Sequence, residues 1–106
     1  MKDRIQKIIS DSLEIHTRLI EGHDLQSSIK KIVSISVEAF KNGNKLLLCG
    51  NGGSASDAQH IAAELSGRFY KDRPPLHAEA LNVNTSFLTA VANDFGYDQT
   101  LARMLE

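Results

Sequence analysis

The sequence is poor in several features that mark common protein classes. It contains no Trp, two Pro and a single Cys, Cys49. One cysteine cannot form an internal disulfide, which favours a reducing compartment. No apolar run approaches the roughly 20 residues of a membrane span, and the N-terminus has the pattern of an amphipathic helix and not of a signal peptide. We therefore expect a protein that works in a reducing compartment and has no membrane partner.

An excess of charge of one sign is also missing. Twelve Lys and Arg residues against thirteen Asp and Glu residues give a net charge of -1. This balance excludes a strongly basic protein that binds nucleic acid by bulk electrostatics. The chain is 42% hydrophobic and 24% charged, fractions typical of globular proteins. Its 106 residues fit one domain that needs neither a disulfide nor a structural metal to fold.

Hydrophobic periodicity predicts two amphipathic helices in residues 1–43. The first covers residues 3–21 and ends at Gly22, and the second runs from about residue 25 to residue 41 with Asp24 as its N-cap. We expect the two helices to pair as an antiparallel hairpin. Two apolar stripes with few core partners nearby also suggest a face for an oligomer.

From residue 44 to residue 106 the pattern alternates between strands and helices. Strands are expected at Leu46–Cys49 and Ala78–Asn82, and helices at about 55–68, 86–92 and 97–106. The first strand is a continuous apolar run, which is typical of a strand buried on both faces. Alternation of strand, helix and strand predicts an α/β fold with a parallel sheet.

A glycine-rich segment follows the first strand directly and leads into the next helix: Gly50-Asn51-Gly52-Gly53-Ser54. Ligands bind at this edge of open α/β sheets, and the start of a helix offers N–H donors that suit phosphate or other oxyanions. Ser54 and Ser56 add hydroxyl groups, and either could serve as the N-cap. A tight turn without a ligand is the alternative. A dinucleotide site would need an acidic residue at the end of the second strand to bind the ribose, and a Walker loop would need Gly-Lys-Ser/Thr; the sequence has neither. A small phosphorylated or polyhydroxylated ligand is therefore favoured over a nucleotide.

The helix predicted after this loop has a polar face that contains an acid and an imidazole. His60 and Glu64 lie one turn apart, with Asp57 on the same face and the apolar residues Ala58, Ile61, Ala62 and Leu65 opposite. A carboxylate there could act as a general base, and the imidazole as an acid, a base or a metal ligand. The pair also supplies two of the ligands of a zinc site. A solvated face with an ordinary i, i+4 pair is the alternative.

Three shorter features complete the set. Asn93-Asp94 is either a turn or a source of polar ligand contacts. Cys49 is expected to be a small core residue of the first strand. Arg68, Lys71 and Arg73 are expected to form a solvated basic patch, with phosphate contact as the alternative.

Two stretches carry a resemblance to a known family. They are LCGNGGSASDAQHIAAELSGR, residues 48–68, and ANDFGY, residues 92–97. Over essentially all 106 residues the chain resembles the bacterial phosphoheptose isomerases, the sedoheptulose 7-phosphate isomerases of the sugar isomerase (SIS) fold family. The resemblance implies a doubly wound parallel sheet. It also implies conversion of sedoheptulose 7-phosphate to D-glycero-D-manno-heptose 7-phosphate, the first step toward the ADP-heptose of lipopolysaccharide cores.

The same resemblance implies cytoplasmic homotetramers with sites at subunit interfaces, and one zinc ion per subunit. Glu64 would be the general base, and His60 and Glu64 would be zinc ligands. Glu64 would also contact the substrate. The other implied substrate contacts are Asn51, Gly52, Gly53, Ser54, Asn93 and Asp94.

The chain departs from the family in one large respect. The resembled proteins are nearly twice as long, and their second half carries a Thr-Ser-Gly-x-Ser loop for the phosphate and a late Gln and His that complete the site. None of these is in this sequence, so we expect the N-terminal half of a longer protein, and the activity of this half alone is in doubt.

Two other functions are compatible with the resemblance. A non-catalytic scaffold of the same fold that binds a replication initiator is the first alternative. A regulator that senses sugar phosphates is the second, and the absence of a helix-turn-helix segment argues against it. Retention of both His60 and Glu64 favours the enzyme.

Overall fold

The computed structural model describes residues 2–106, which form two compact units. The first unit ends at Glu38 and the second runs from Ala39 to Glu106. In chain order the elements are α1 (Lys2–Glu21), α2 (His23–Lys41), β1 (Leu46–Leu48), α3 (Gly53–Ser66), β2 (Ala78–Ala80), α4 (Thr85–Phe95), a 3-10 helix (Tyr97–Gln99) and α5 (Thr100–Leu105). Within residues 2–106, no helix combines the length and the apolar character needed to cross a membrane.

The predicted hairpin of α1 and α2 is not formed. Only Gly22 separates the helices, and it does not have the positive φ of a helix-ending glycine. The Gln26 side chain donates to the carbonyls of Leu19 (2.9 Å) and Ile20 (2.6 Å), so it satisfies the end of α1 across the junction. The apolar stripes of both helices are exposed, whereas facing stripes in a hairpin would cover each other. Asp24 lies in the first turn of α2 and is therefore not its N-cap.

In the second unit, α2 ends in the turn that its sequence predicts. Gly43 has φ +74, the left-handed conformation that glycine adopts without steric cost. Its N–H donates to the Phe40 carbonyl (3.1 Å), and the Asn44 N–H donates to the Ala39 carbonyl (2.8 Å). This pair of bonds is a Schellman motif, which satisfies the last carbonyls of the helix.

β1 and β2 pair in parallel, as the alternation of elements predicts, with Leu46 opposite Ala78 and Leu48 opposite Ala80. α3 forms the crossover between them and packs on both strands. The described core of this unit is small and consists of Ala58, Ala62, Ala78, Leu81, Val91 and Thr100. The leucines of β1 are only half-buried. Cys49 follows β1 and is exposed, so the prediction that it is a core residue is wrong.

α4 begins as the sequence predicts but ends later. The Asn84 side chain accepts a hydrogen bond from the Phe87 N–H (3.0 Å) and caps the helix start. The helix continues to Phe95, so Asn93 and Asp94 lie in its last turn and not in a break. It ends at Gly96, which has φ +95.

Arg73 closes the far end of α3 instead of joining a solvated basic patch. Its guanidinium donates to the carbonyls of Leu65 (2.9 Å), Glu64 (3.1 Å) and Gly67 (3.4 Å). These are carbonyls of the last turn of α3 and the residue that follows it. The charge also opposes the negative end of the helix dipole.

We expect Arg73→Ala to lower the free energy of unfolding by about 1–3 kcal/mol, because it leaves several helix carbonyls without their charged donor. Denaturant titration of the purified protein measures this loss. Lys71→Ala removes a charge from the same loop and should change stability by less than about 0.5 kcal/mol. Equal effects of the two substitutions would contradict the capping role.

Candidate functional site

The glycine-rich segment lies between the carboxyl end of β1 and the start of α3. Gly52 is the N-cap, with φ +56 and no side-chain cap, and α3 begins at Gly53. Ser54 and Ser56 are therefore inside the first turn, and the prediction that one of them is the N-cap is wrong. The first hydrogen bonds of this turn are donated by Ser54 N–H to Asn51 O (3.0 Å) and by Ala55 N–H to Gly52 O (3.1 Å). The N–H groups of Gly52 and Gly53 precede these bonds and lie where an oxyanion would bind.

The loop is tight because Gly50 approaches the backbone of Ser54 closely. A Cβ atom on Gly50 would lie 2.5 Å from the Ser54 carbonyl carbon and 2.7 Å from its Cβ. Non-bonded heavy atoms essentially never come this close to a Cβ, so only glycine permits this turn.

Asn82, which sequence reasoning did not identify, holds the two ends of the loop together. Its Oδ1 accepts from the Gly50 N–H (3.2 Å), and its Nδ2 donates to the Ala55 carbonyl (3.2 Å). Asn82 follows β2, whose carboxyl end adjoins that of β1 in the parallel sheet. A polar residue just after the second strand was the only signal in the sequence that could have indicated this role.

His60 and Glu64 are in contact on α3, as their spacing predicts. Nε2 of His60 lies 3.2 Å from Oε1 of Glu64, and the side chains are 75% and 35% exposed. A cavity of about 380 Å³ adjoins them, lined also by Ile61, Leu65 and Phe69. Ile61 was expected on the buried face but is 47% exposed and contributes to this cavity. The pair thus combines a carboxylate and an imidazole at the edge of an apolar hollow.

The third predicted group, Asn93 and Asp94, is carried by the last turn of α4. The Asn93 Nδ2 donates to Asp94 Oδ1 (3.2 Å). Three residues later the Tyr97 hydroxyl donates to Oδ1 of Asn51, in the glycine-rich loop. This bond joins the segment after α4 to the loop and was not foreseen from the sequence.

The structure brings some of the predicted residues together and leaves others apart. Within residues 2–106, no hydrogen bond or ion pair links the His60–Glu64 pair to the loop. Along the helix, seven residues at 1.5 Å each put His60 about 10 Å from Gly53, a distance that a small sugar phosphate could span. A larger cavity of about 530 Å³ lies beside β2 and contains none of the predicted site residues.

The residues present offer two metal donors at one place. Imidazole nitrogen and carboxylate oxygen are both zinc ligands, and the contact of His60 with Glu64 would allow them to share one ion. The described part of the chain contains no group of three or more His, Cys, Asp or Glu residues that could hold a metal. The donor set therefore fits half of a tetrahedral zinc site.

The family model of the SIS domain matches residues 9–106, which covers most of α1, all of α2, the sheet and the glycine-rich loop. The chain belongs to the SIS domain family. The resemblance found in the sequence is thereby confirmed, and the parallel sheet with its crossover helix is part of a SIS fold.

The SIS domain of this chain is similar to proteins named phosphoheptose isomerase. Identity is 44% to the protein from Aneurinibacillus thermoaerophilus and 49% to that from Aliarcobacter butzleri, each over all 106 residues and 54% and 55% of the relative. The solved phosphoheptose isomerase from Francisella tularensis superposes with a TM-score of 0.84 at 34% identity, over 97% of this chain and 53% of that one. The chain thus spans about half the length of the relatives it matches.

We expect Gly50→Ala to lower the free energy of unfolding by about 1–3 kcal/mol, because the loop must open to admit the new methyl group. Gly53→Ala is the matched control. A Cβ at Gly53 meets no atom within 4 Å and the position is helical, so this change should be neutral or slightly stabilising. Thermal and denaturant unfolding compare the two. A neutral Gly50→Ala would show that the close approach does not constrain the loop.

Proposed function

We propose that this chain belongs to an aldose–ketose isomerase that converts sedoheptulose 7-phosphate to D-glycero-D-manno-heptose 7-phosphate, a step toward the ADP-heptose of lipopolysaccharide. The observation that carries the proposal is the contact of Glu64 with His60 on the helix that begins at the glycine-rich loop. The names of relatives that share 44–49% identity over the whole chain support it.

The loop would hold the sugar, through the N–H groups at the start of α3, the Asn51 side chain and the Ser54 hydroxyl. Helix N-termini and glycine-rich turns suit oxygen-rich, negatively charged ligands because they present donors without side chains in the way. Asn93 and Asp94 would contribute polar contacts from the end of α4. The substrate would extend from the loop toward His60 and Glu64.

Glu64 would move the proton between the two carbons that change oxidation state. Its carboxylate takes a proton from C1 of the ketose while the C2 carbonyl oxygen gains one, which gives a 1,2-enediol. Return of the proton to C2 and loss of the proton from the C1 hydroxyl give the aldose. Further protein over the apolar hollow beside Glu64, supplied by the assembled enzyme, would limit the access of water to this exchange.

His60 and Glu64 would also hold one zinc ion per subunit, with the remaining ligands supplied from outside residues 2–106. Zinc, when bound, would polarise the carbonyl oxygen of the substrate and so favour loss of the neighbouring proton. The His60 ligand atom would be Nε2, which already faces the Glu64 carboxylate.

The enzyme would act in the cytoplasm as a homotetramer with its sites at subunit interfaces. The exposed apolar stripes of α1 and α2 support an assembly, because such stripes are normally covered by another protein surface. Cys49 is a free thiol and forms no disulfide within residues 2–106.

In the full protein, we expect Glu64→Gln to lower kcat by about 10²–10⁴-fold, because an amide cannot accept the proton. Isomerisation of sedoheptulose 7-phosphate, followed by the appearance of the aldose, measures this. Glu79→Gln is the control, since Glu79 is an exposed carboxylate that pairs with Lys45 and His77 and is not among the proposed site residues.

Undiminished turnover in Glu64→Gln would remove Glu64 as the base. Circular dichroism should show equal folding of parent and variants. Light scattering of the same samples measures their oligomeric state. A monomeric parent would contradict the tetramer. Binding of a replication initiator without isomerase activity would favour the scaffold.

We expect His60→Ala to reduce the zinc content of the purified protein several-fold, because it removes one of two donors that this chain supplies. Elemental analysis by mass spectrometry measures the metal per subunit. His77→Ala is the matched control, since the His77 ring also faces a carboxylate, that of Glu79 at 3.7 Å, and His77 is not among the proposed zinc ligands. Equal zinc in His60→Ala and in the parent would contradict the assignment.

A further inference from the structure

The Tyr97 hydroxyl links the segment after α4 to the glycine-rich loop. It donates to Oδ1 of Asn51, 46 residues earlier in the chain. Asn51 lies immediately before the N-cap of α3, where its side chain borders the oxyanion-binding end of the helix. Tyr97 is 56% exposed, so core packing does not explain why its hydroxyl contacts the loop.

The backbone at Tyr97 is held firmly. Gly96, with φ +95, turns the chain out of α4 and into the 3-10 helix. The Tyr97 carbonyl accepts both the N–H and the hydroxyl (2.8 Å) of Thr100, which is the most buried residue of the described chain, at 1% exposure. The Tyr97 ring is thus exposed, but the backbone that carries it is held in place, so the hydroxyl can position another side chain.

The bond decides which way the Asn51 amide points. A carboxamide has one accepting and one donating end. With Oδ1 engaged by Tyr97, the donating end, Nδ2, is the one left for a ligand at the start of α3. An unrestrained exposed Asn would rotate freely and lose that freedom when it bound a ligand, at a cost in affinity.

We propose that Tyr97 is a positioning residue that fixes the Asn51 amide with its NH₂ group directed toward the hydroxyl or phosphate oxygens of the substrate. This role rests on the proposed isomerase function. Tyr97 does not touch the reacting carbons and acts only through Asn51. Its loss therefore weakens substrate binding and leaves the proton transfer at Glu64 unaltered.

Steady-state kinetics of Tyr97→Phe, in the protein as its gene encodes it, test this. The expected result is a KM raised about 3- to 10-fold, as for loss of a neutral hydrogen bond, with kcat unchanged. A purely structural role would instead lower the active fraction, and hence kcat, at constant KM. Tyr70→Phe is the matched control, because Tyr70 is 90% exposed, stacks on its neighbour Phe69 and is not among the proposed site residues.

A double-mutant cycle with Asn51→Ala tests whether Tyr97 acts through Asn51. In the Asn51→Ala background, Tyr97→Phe should change kcat/KM by less than about 1.5-fold, because the group it positions is gone. Independent, multiplicative effects of the two substitutions would overturn the proposal, and so would an unchanged KM in Tyr97→Phe alone.

A readout without substrate separates this proposal from the proposed function. The side-chain amide signal of Asn51 in a ¹⁵N–¹H NMR spectrum is the one that Asn51→Ala removes. Tyr97→Phe should shift that signal and speed the exchange of its protons with water. If the parent lacks isomerase activity, the proposed function fails. An Asn51 signal that Tyr97→Phe leaves unchanged would overturn the positioning role, whether or not the parent is active. A shifted signal would support that role for whatever ligand the loop binds.

Discussion

The close approach of Gly50 to Ser54 allows β1 to turn directly into α3, and the rest of the second unit depends on this turn. A side chain at Gly50 would occupy the space of the Ser54 backbone. Because the turn is so short, the N-terminus of α3 lies at the carboxyl edge of the sheet, within reach of Asn82 from the next strand. The glycine-rich loop, the crossover helix and the parallel pairing of β1 with β2 therefore share one steric requirement.

Most of the candidate functional groups of the molecule lie on α3. Its first turn presents backbone donors, its buried face packs small side chains such as Ala58 and Ala62 against the strands, and its outer face brings His60 into contact with Glu64. Arg73 closes its last turn. Since a helix is stiff over this length, the loop and the acid–imidazole pair are held at a constant separation, which suits a ligand that bridges them.

The surfaces of the chain fit a protein that works within a larger assembly. Large apolar side chains along α1 and α2 are exposed, and the hollow beside Glu64 opens to solvent. A carboxylate that removes a proton from carbon works best where water is excluded. The chain spans about half the length of its phosphoheptose isomerase relatives, and the proposed tetramer would supply further protein around the site.

The sequence by itself determined the features that depend on neighbouring residues. Periodicity predicts the helices, the apolar run predicts β1, and the i, i+4 spacing predicts the contact of His60 with Glu64. Periodicity shows that a helix has an apolar stripe but not what covers it, so the hairpin was predicted wrongly. Only the tertiary structure decided the contacts of Asn82 and Tyr97 with the loop, because folding brings together residues 27 to 46 positions apart and local patterns carry no record of that separation.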